Sequence, residues 1–240
     1  MCRFKSGIIL KNKVVVAPGE NDSHSDLLES LGIKDDFFGA TNVFVRAELV
    51  PVNDEWWIDP AEEPDKWRFI VDQDMRPEWF DESEHEKIFR EAVCDWWKEH
   101  VLVDQKLEEL SSGYYRLKRC EVKKLLNDVK VLLDSSRVGE MRESSQVGKM
   151  WDSSQVGEMR ESSQVGKMWD SSQVGKMRES SQVGEMWDSS QVGEMWDSSQ
   201  VGEMWDRSTA RDFKNYQKVK IWVSPEGTFE MVAHQNKSEE

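Results

Sequence analysis

From residue 134 onward the apolar positions keep a fixed rhythm. Valine stands at 138, 147, 156, 165, 174, 183, 192 and 201, a glycine follows each, and a methionine comes three places after each valine, from Met141 to Met204. The full unit, Asp-Ser-Ser-Gln-Val-Gly-Glu-Met-Trp with substitutions, recurs eight times between Asp134 and Trp205. Nine residues are two and a half helical turns, so successive valines would lie on opposite sides of a helix and form no apolar stripe. Each glycine would also cost a helix about 1 kcal/mol relative to alanine. A Val and a Met in every unit, with no proline between Pro77 and Pro225, is not the composition of a solvated tract. Stacked strands satisfy the pattern, because each unit buries its Val and Met only against the same columns of its neighbours. The rhythm predicts a β-solenoid.

Coil size follows from space. Two sheets about 10 Å apart need about three residues for each crossing, which leaves too few of nine for two strands and predicts eighteen residues per coil. The position after methionine agrees, running Arg142, Trp151, Arg160, Trp169, Arg178, Trp187 before Trp196 and Trp205. Two nonads per coil put Arg142, Arg160 and Arg178 in one ladder and Trp151, Trp169, Trp187 and Trp205 in the opposite one. The variable columns (Asp or Glu, Gln, Glu or Lys, Trp or Arg) read as solvated, and the Val, Gly, Met and Ser columns as interior and bend. Upstream, Cys120 and Val129 stand eighteen and nine before Val138 and Leu132 takes the methionine column, so coils are expected from about Cys120. Downstream, Lys218 to Val223 and Thr228 to Ala233 flank Ser-Pro-Glu-Gly and predict a terminating hairpin.

The first 119 residues have ordinary globular patterning. Ile8 to Leu10 and Val14 to Val16 predict a hairpin, Ser25 to Leu31 with Gly32 beyond it a short helix, and Val43 to Val50 and Trp67 to Val71 two strands. Ile88, Phe89, Ala92, Val93, Trp96 and Trp97 mark an amphipathic helix over 78–100, and 104–110 reads as a further short helix. The expected organisation is an α+β domain over 1–119, an all-β solenoid over 120–210, and a capping hairpin with tail over 211–240.

Charge narrows the partners. With 47 acids against 32 bases the net charge is -15, so direct binding of nucleic acid or anionic lipid is not expected, and a protein partner is. No apolar run approaches the roughly 18 residues of a membrane span, and Gly7 to Leu10 is too short for an export signal, which points to the cytoplasm. Three cysteines without a CxxC suggest neither a disulfide frame nor a zinc site. Isolated glycines at nine-residue spacing form no phosphate loop, the array lacks the paired glycines of calcium-binding β-rolls, and no cofactor is expected.

Four groups of residues are candidates for chemistry. Trp151, Trp169, Trp187, Trp196 and Trp205, with Arg142, Arg160 and Arg178, could stack on or anchor a ligand, or could simply stack on each other. Cys2 would become an amino-terminal nucleophile if Met1 were removed, although a first-strand cysteine more often packs. Asp72 and Asp74 share a strand face, and Glu48 on a neighbouring strand could complete a carboxylate site for Mg²⁺; the plainer account is a solvated turn before Pro77. His24, His85, His100 and His234 lack any metal-binding spacing and read as surface histidines.

The opening Met1-Cys2-Arg3-Phe4-Lys5-Ser6, the Ser23-His24-Ser25-Asp26 segment, Phe44-Val45-Arg46-Ala47-Glu48-Leu49 and Val71-Asp72-Gln73-Asp74 resemble a family of uncharacterised phage-associated proteins over roughly residues 1–133. The resemblance implies a phage setting and short repeats behind the first domain, and it carries no catalytic residue. The resulting expectation is a non-enzymatic interaction scaffold that presents Trp, Arg and acidic ladders. An enzyme in the first domain, using Cys2 or Glu48, Asp72 and Asp74, is the alternative, and an acidic inhibitor of a nucleic-acid-binding protein is the third.

Overall fold

The structure is a computed structural model and describes residues 5–19, 22–211 and 218–219, the last pair by its backbone alone. The chain divides into two compact units, Met1–Val101 and Leu102–Glu240. An N-terminal α+β region and a parallel β-solenoid with an eighteen-residue coil are both present.

In the first unit, β1 (Lys5–Leu10), β2 (Lys13–Val16), β3 (Phe44–Pro51) and β4 (Trp67–Val71) form an antiparallel sheet in the order β2-β1-β3-β4. Lys11 and Asn12 close the β1–β2 hairpin. Helix α1 (His24–Ser30) starts at the Ser23 cap, whose hydroxyl accepts the Asp26 N–H, and Gly32 beyond it takes φ +68°. Helix α2 (Phe37–Asn42) was not anticipated; Gly39 weakens its pattern, and the Asp36 cap on the Gly39 N–H starts it. Helix α3 (Glu82–His100) buries Phe89, Val93 and Trp96 along one stripe. It lies so close to the sheet that a Cβ on Gly7 would sit 2.7 Å from the Phe89 ring. On the same sheet Lys5 is fully buried, with its ammonium 2.6 Å from Asp22, 3.0 Å from the Gly19 carbonyl and 4.1 Å above the Trp96 ring.

The second unit stacks strands β5 (Val101–Val103) to β19 (Lys218–Val219) into two parallel sheets, of which odd-numbered strands form one and even-numbered strands β6 (Lys106–Leu110) to β18 (Thr209–Ala210) the other. The rungs begin a coil before the expected Cys120 boundary, and residues 104–110 are turn and strand, not helix. Asp104 has φ +55°, which ends β5 in a turn, and β6 then pairs in parallel with β8 (Glu121–Leu125). The early coils are short: Lys106 pairs with Glu121 and Glu121 with Arg137, offsets of 15 and 16 residues against the later 18. Cys120 and Val129 therefore occupy the column of the second, inward serine, since Arg137 N–H bonds the Cys120 carbonyl and Gln146 N–H that of Val129. Leu133, not Leu132, pairs with Met150. The predicted hairpin lies outside the described residues except for Lys218–Val219, which pair in parallel with Gln200–Val201.

Each later nonad is a five-residue strand and a four-residue turn. Val and Met are buried although three apart, a spacing that strict alternation would split between two faces. The glycine resolves this conflict. In the pairing of β10 (Arg137–Met141) with β12 (Gln155–Met159), Val138 meets Val156 and Glu140 meets Glu158, and the glycines drop out of the ladder. A Cβ on Gly157 would lie 2.5 Å from the Gly139 carbonyl oxygen, and the same contact repeats at Gly166, Gly175, Gly184 and Gly202. Close backbone approach between coils, rather than left-handed φ, fixes the glycine column.

The left-handed position is the acid of the turn. Glu143, Asp152, Glu161, Asp170, Glu179, Asp188, Asp197 and Asp206 have φ between +55° and +58°, at a cost of about 1–2 kcal/mol each. Their carboxylates offset it by binding backbone across coils. Glu161 accepts the Glu143 N–H and Glu179 the Glu161 N–H, both at 2.8 Å, and Asp170 accepts the Asp152 N–H at 3.1 Å. The column reads as solvated in sequence but carries backbone hydrogen bonds in the fold. Of the two serines, only the second points inward; from Ser145 to Ser199 every one is fully buried.

Candidate functional site

The columns after glycine and after methionine lie side by side along each edge of the solenoid. One edge, following the even-numbered strands, carries Arg142, Arg160, Arg178 and Trp196; the other carries Trp151, Trp169, Trp187 and Trp205. The pairing register puts equivalent positions of alternate nonads one rung apart, because strands eighteen residues apart align Gln on Gln and Met on Met.

On the tryptophan edge the indoles form parallel stacks. Trp151 and Trp169 have ring centroids 5.8 Å apart and planes 9° apart, and Trp187 and Trp205 are 4.8 Å and 5° apart. The spacing of the second pair matches the strand separation of a sheet. Each indole is half-buried by its neighbours and keeps an edge to solvent. The indole N–H groups of Trp187 and Trp205 donate to Glu185 and Glu203 two residues earlier. The ammonium of Lys167 sits 2.9 Å from Glu185. That bond, helped by the Trp187 N–H, holds the Glu185 carboxyl below the usual carboxylate range against the opposing effect of burial.

On the arginine edge the guanidinium groups zip with glutamates. Arg142 lies 2.8 Å and Arg160 3.1 Å from the same oxygen of Glu140, and Arg160 and Arg178 lie 3.0 and 2.6 Å from the two oxygens of Glu158. Hydrogen bonding to these carboxylates pushes the Arg142 and Arg160 guanidinium groups further up. Trp196 joins this column with Arg178 5.4 Å from its ring centroid, so the five tryptophans do not form one row.

The carboxylates singled out in the first unit rearrange. Glu48 and Asp72 do approach each other, but the third member of the group is His24; the donor atoms of the three lie within 4.8 Å of one another, and Asp74 is not among them. His24 is buried, 6% exposed, rather than on the surface, because α1 begins at its position and lays it against β3, where its Nε2 is 3.1 Å from the Ala47 carbonyl. His85 is buried as well, bonded through Nδ1 to its own turn at Asp81. Sequence spacing gives no sign of the His24 grouping, since residues 24, 48 and 72 meet only through the sheet order. The Ser23 cap is the one local signal that fixes where His24 begins a helix. Cys2 lies outside the described residues. Cys94 and Cys120 are free thiols, each pushed up by burial, which favours the unreactive protonated form.

Among the described residues no helix is long and apolar enough to cross a membrane. Comparison with protein-family models, with curated protein sequences and with solved structures gives no match. The class of molecule is thus defined by its fold, an α+β unit followed by a parallel β-solenoid of nonapeptide repeats.

Proposed function

We propose that this protein is a non-enzymatic, phage-associated interaction scaffold of the cytoplasm, in which the solenoid presents its tryptophan edge, flanked by acidic turns, to a protein partner. The observation that carries the reading is the parallel stacking of half-exposed indoles on one edge, 5.8 and 4.8 Å apart. Stacked in this way the rings lose little further freedom on binding and offer a linear apolar strip whose length grows with repeat number. Tryptophan is also among the residues that most often anchor interfaces. The neighbouring carboxylates and the net charge of -15 favour a partner with basic groups.

The test is affinity capture from lysate of phage-infected cells with the full chain and with a variant carrying Trp→Ser at positions 151, 169, 187, 196 and 205. A defined partner retained by the natural sequence and lost by the variant, with β-sheet circular dichroism unchanged, supports the reading. The same partners on both overturn it. Catalysis in the first unit is the second reading, and the His24, Glu48 and Asp72 grouping is the observation in its favour.

A further inference from the structure

We infer that His24, Glu48 and Asp72 form a binding site for a divalent transition-metal ion in the α+β unit. Three elements deliver the donors: His24 opens α1, Glu48 lies in β3, and Asp72 follows the last residue of β4. The His24 Nδ1 and Asp72 Oδ2 atoms are 3.4 Å apart. Two donors on one tetrahedral ion, at bonds of about 2.1 Å, are separated by about 3.4 Å. All three donor atoms fall within 4.8 Å of one another, so Glu48 reaches the same point with a small side-chain adjustment.

The surroundings favour a bound cation. The Nε2 side of His24 faces the Ala47 carbonyl at 3.1 Å. That contact selects the tautomer with its proton on Nε2 and turns Nδ1, as an electron-pair donor, toward the carboxylates, as in metal-bound histidines whose other ring N–H is held by a backbone carbonyl. Glu48 is 8% exposed. A carboxylate so largely withdrawn from water is favoured by a cation that meets it. Directly across the β1–β3 pair stands Ser6, fully buried, whose hydroxyl has no hydrogen-bond partner among the described residues. Residues opposite each other in an antiparallel pair project to the same face. The hydroxyl therefore stands beside Glu48 on the face that α1 covers, placed to bond a carboxylate oxygen or a water on the ion.

The donor set selects the ion. One imidazole with two carboxylates suits Zn²⁺, Mn²⁺, Fe²⁺ or Co²⁺ better than Ca²⁺ or Mg²⁺, which take oxygen ligands. Three protein donors leave coordination positions for solvent or for a ligand group.

The site is tested by titrating the full-length chain with Co²⁺ and following the visible absorption of the protein-bound ion, with Mg²⁺ present in excess to occupy loose sites on the acidic turns. One saturable equivalent is expected. Asp72→Asn, at a position 58% exposed, should weaken uptake about 100-fold, since even changes to groups that only hydrogen-bond the ligands cost about 10–100-fold. His24→Gln should remove the imidazole contribution to the spectrum, and Asp74→Asn should change nothing. No saturable Co²⁺ equivalent, or equal uptake by Asp72→Asn and the natural sequence, overturns the assignment. The five-tryptophan variant should bind Co²⁺ normally, so failure of the scaffold reading and failure of the metal site are separate results.

Discussion

The two units solve the same problem, hiding apolar surface while pairing the backbone, with opposite strategies. In the α+β unit each stabilising contact is made once. Lys5 meets the Asp22 carboxylate, Trp67 donates to the Ile58 carbonyl and Trp97 to that of Trp56, and Gly7 admits the Phe89 ring. In the solenoid each contact is made in almost every coil: the inward Val and Met, the glycine against the preceding glycine carbonyl, the carboxylate on the preceding acid N–H. A unit of unique contacts should fail as a whole when one is removed. An array of nearest-neighbour contacts should fail locally and in proportion.

The largest contrast comes from the buried ion pair. Asp22→Ala takes the Asp22 carboxylate away from the fully buried Lys5 ammonium, and removing one partner of such a pair costs about 3–5 kcal/mol. Hydrogen exchange measured by mass spectrometry should show faster exchange in peptides throughout β1 to β4 and α3, with solenoid peptides unchanged. Acceleration confined to the Asp22 segment would break the claim of cooperativity.

Next in size is a hole in the middle of the array. Met177 is fully buried, and Met177→Ala should cost about 2–5 kcal/mol. Exchange should rise in β14 (Gln173–Met177) and in the strands that pair with it, β12 and β16 (Gln191–Met195), then fade over further coils. Gly175→Ala should be of similar severity, since its Cβ would meet the Gly157 carbonyl at 2.5 Å and backbone cannot move aside without breaking the ladder. Uniform acceleration across both units after either change would contradict the one-dimensional picture.

This difference in strategy also decides what the sequence discloses. A repeated contact writes itself into the chain as a column, so the solenoid, its eighteen-residue coil and its Arg and Trp ladders are legible from spacing alone. A contact made once leaves no period. The His24, Glu48 and Asp72 grouping depends on sheet order, and His24 reads as a surface residue until α1 is docked. Helix 104–110 was misread because Leu107 and Leu110 fit a helical stripe and a five-residue strand equally well; the left-handed turn at Asp104 decides it. The role of the turn acids was hidden for another reason. Asp and Glu look like solvated surface, and their hydrogen bonds reach backbone eighteen residues away.

A smaller effect separates regular from irregular coils within one column. In the first coils the Ser136 hydroxyl accepts the Cys120 N–H at 3.0 Å and donates to the Asp134 carbonyl at 3.0 Å. Further on, the buried hydroxyl of Ser172 has no partner among the described residues. Ser136→Ala leaves a buried N–H unsatisfied and should cost about 1–3 kcal/mol, whereas Ser172→Ala removes an unsatisfied group and should be neutral or stabilising. Urea midpoints that fall equally for both variants would show that the inward serines act alike and that a shared contact holds them.

The smallest effect lies on the tryptophan edge, where solvent screens the charges. Lys167 at 2.9 Å, with the Trp187 N–H, lowers the Glu185 carboxyl below the usual range. A depressed folded-state value means that the unfolded chain takes up this proton first. The contribution to stability is therefore complete above the unfolded value of about 4.3 and is lost as pH falls through the lower folded value. Carbon-detected NMR titration should find Glu185 titrating below an ordinary glutamate. Lys167→Ala should move it upward while the stack of Trp187 on Trp205 persists, because that stack rests on ring overlap at 4.8 Å and not on the ion pair. Loss of the stack together with the salt bridge would mean that the charged column sets the aromatic one, and the edge would then be a single coupled surface in which any partner meeting the indoles must also meet their carboxylates.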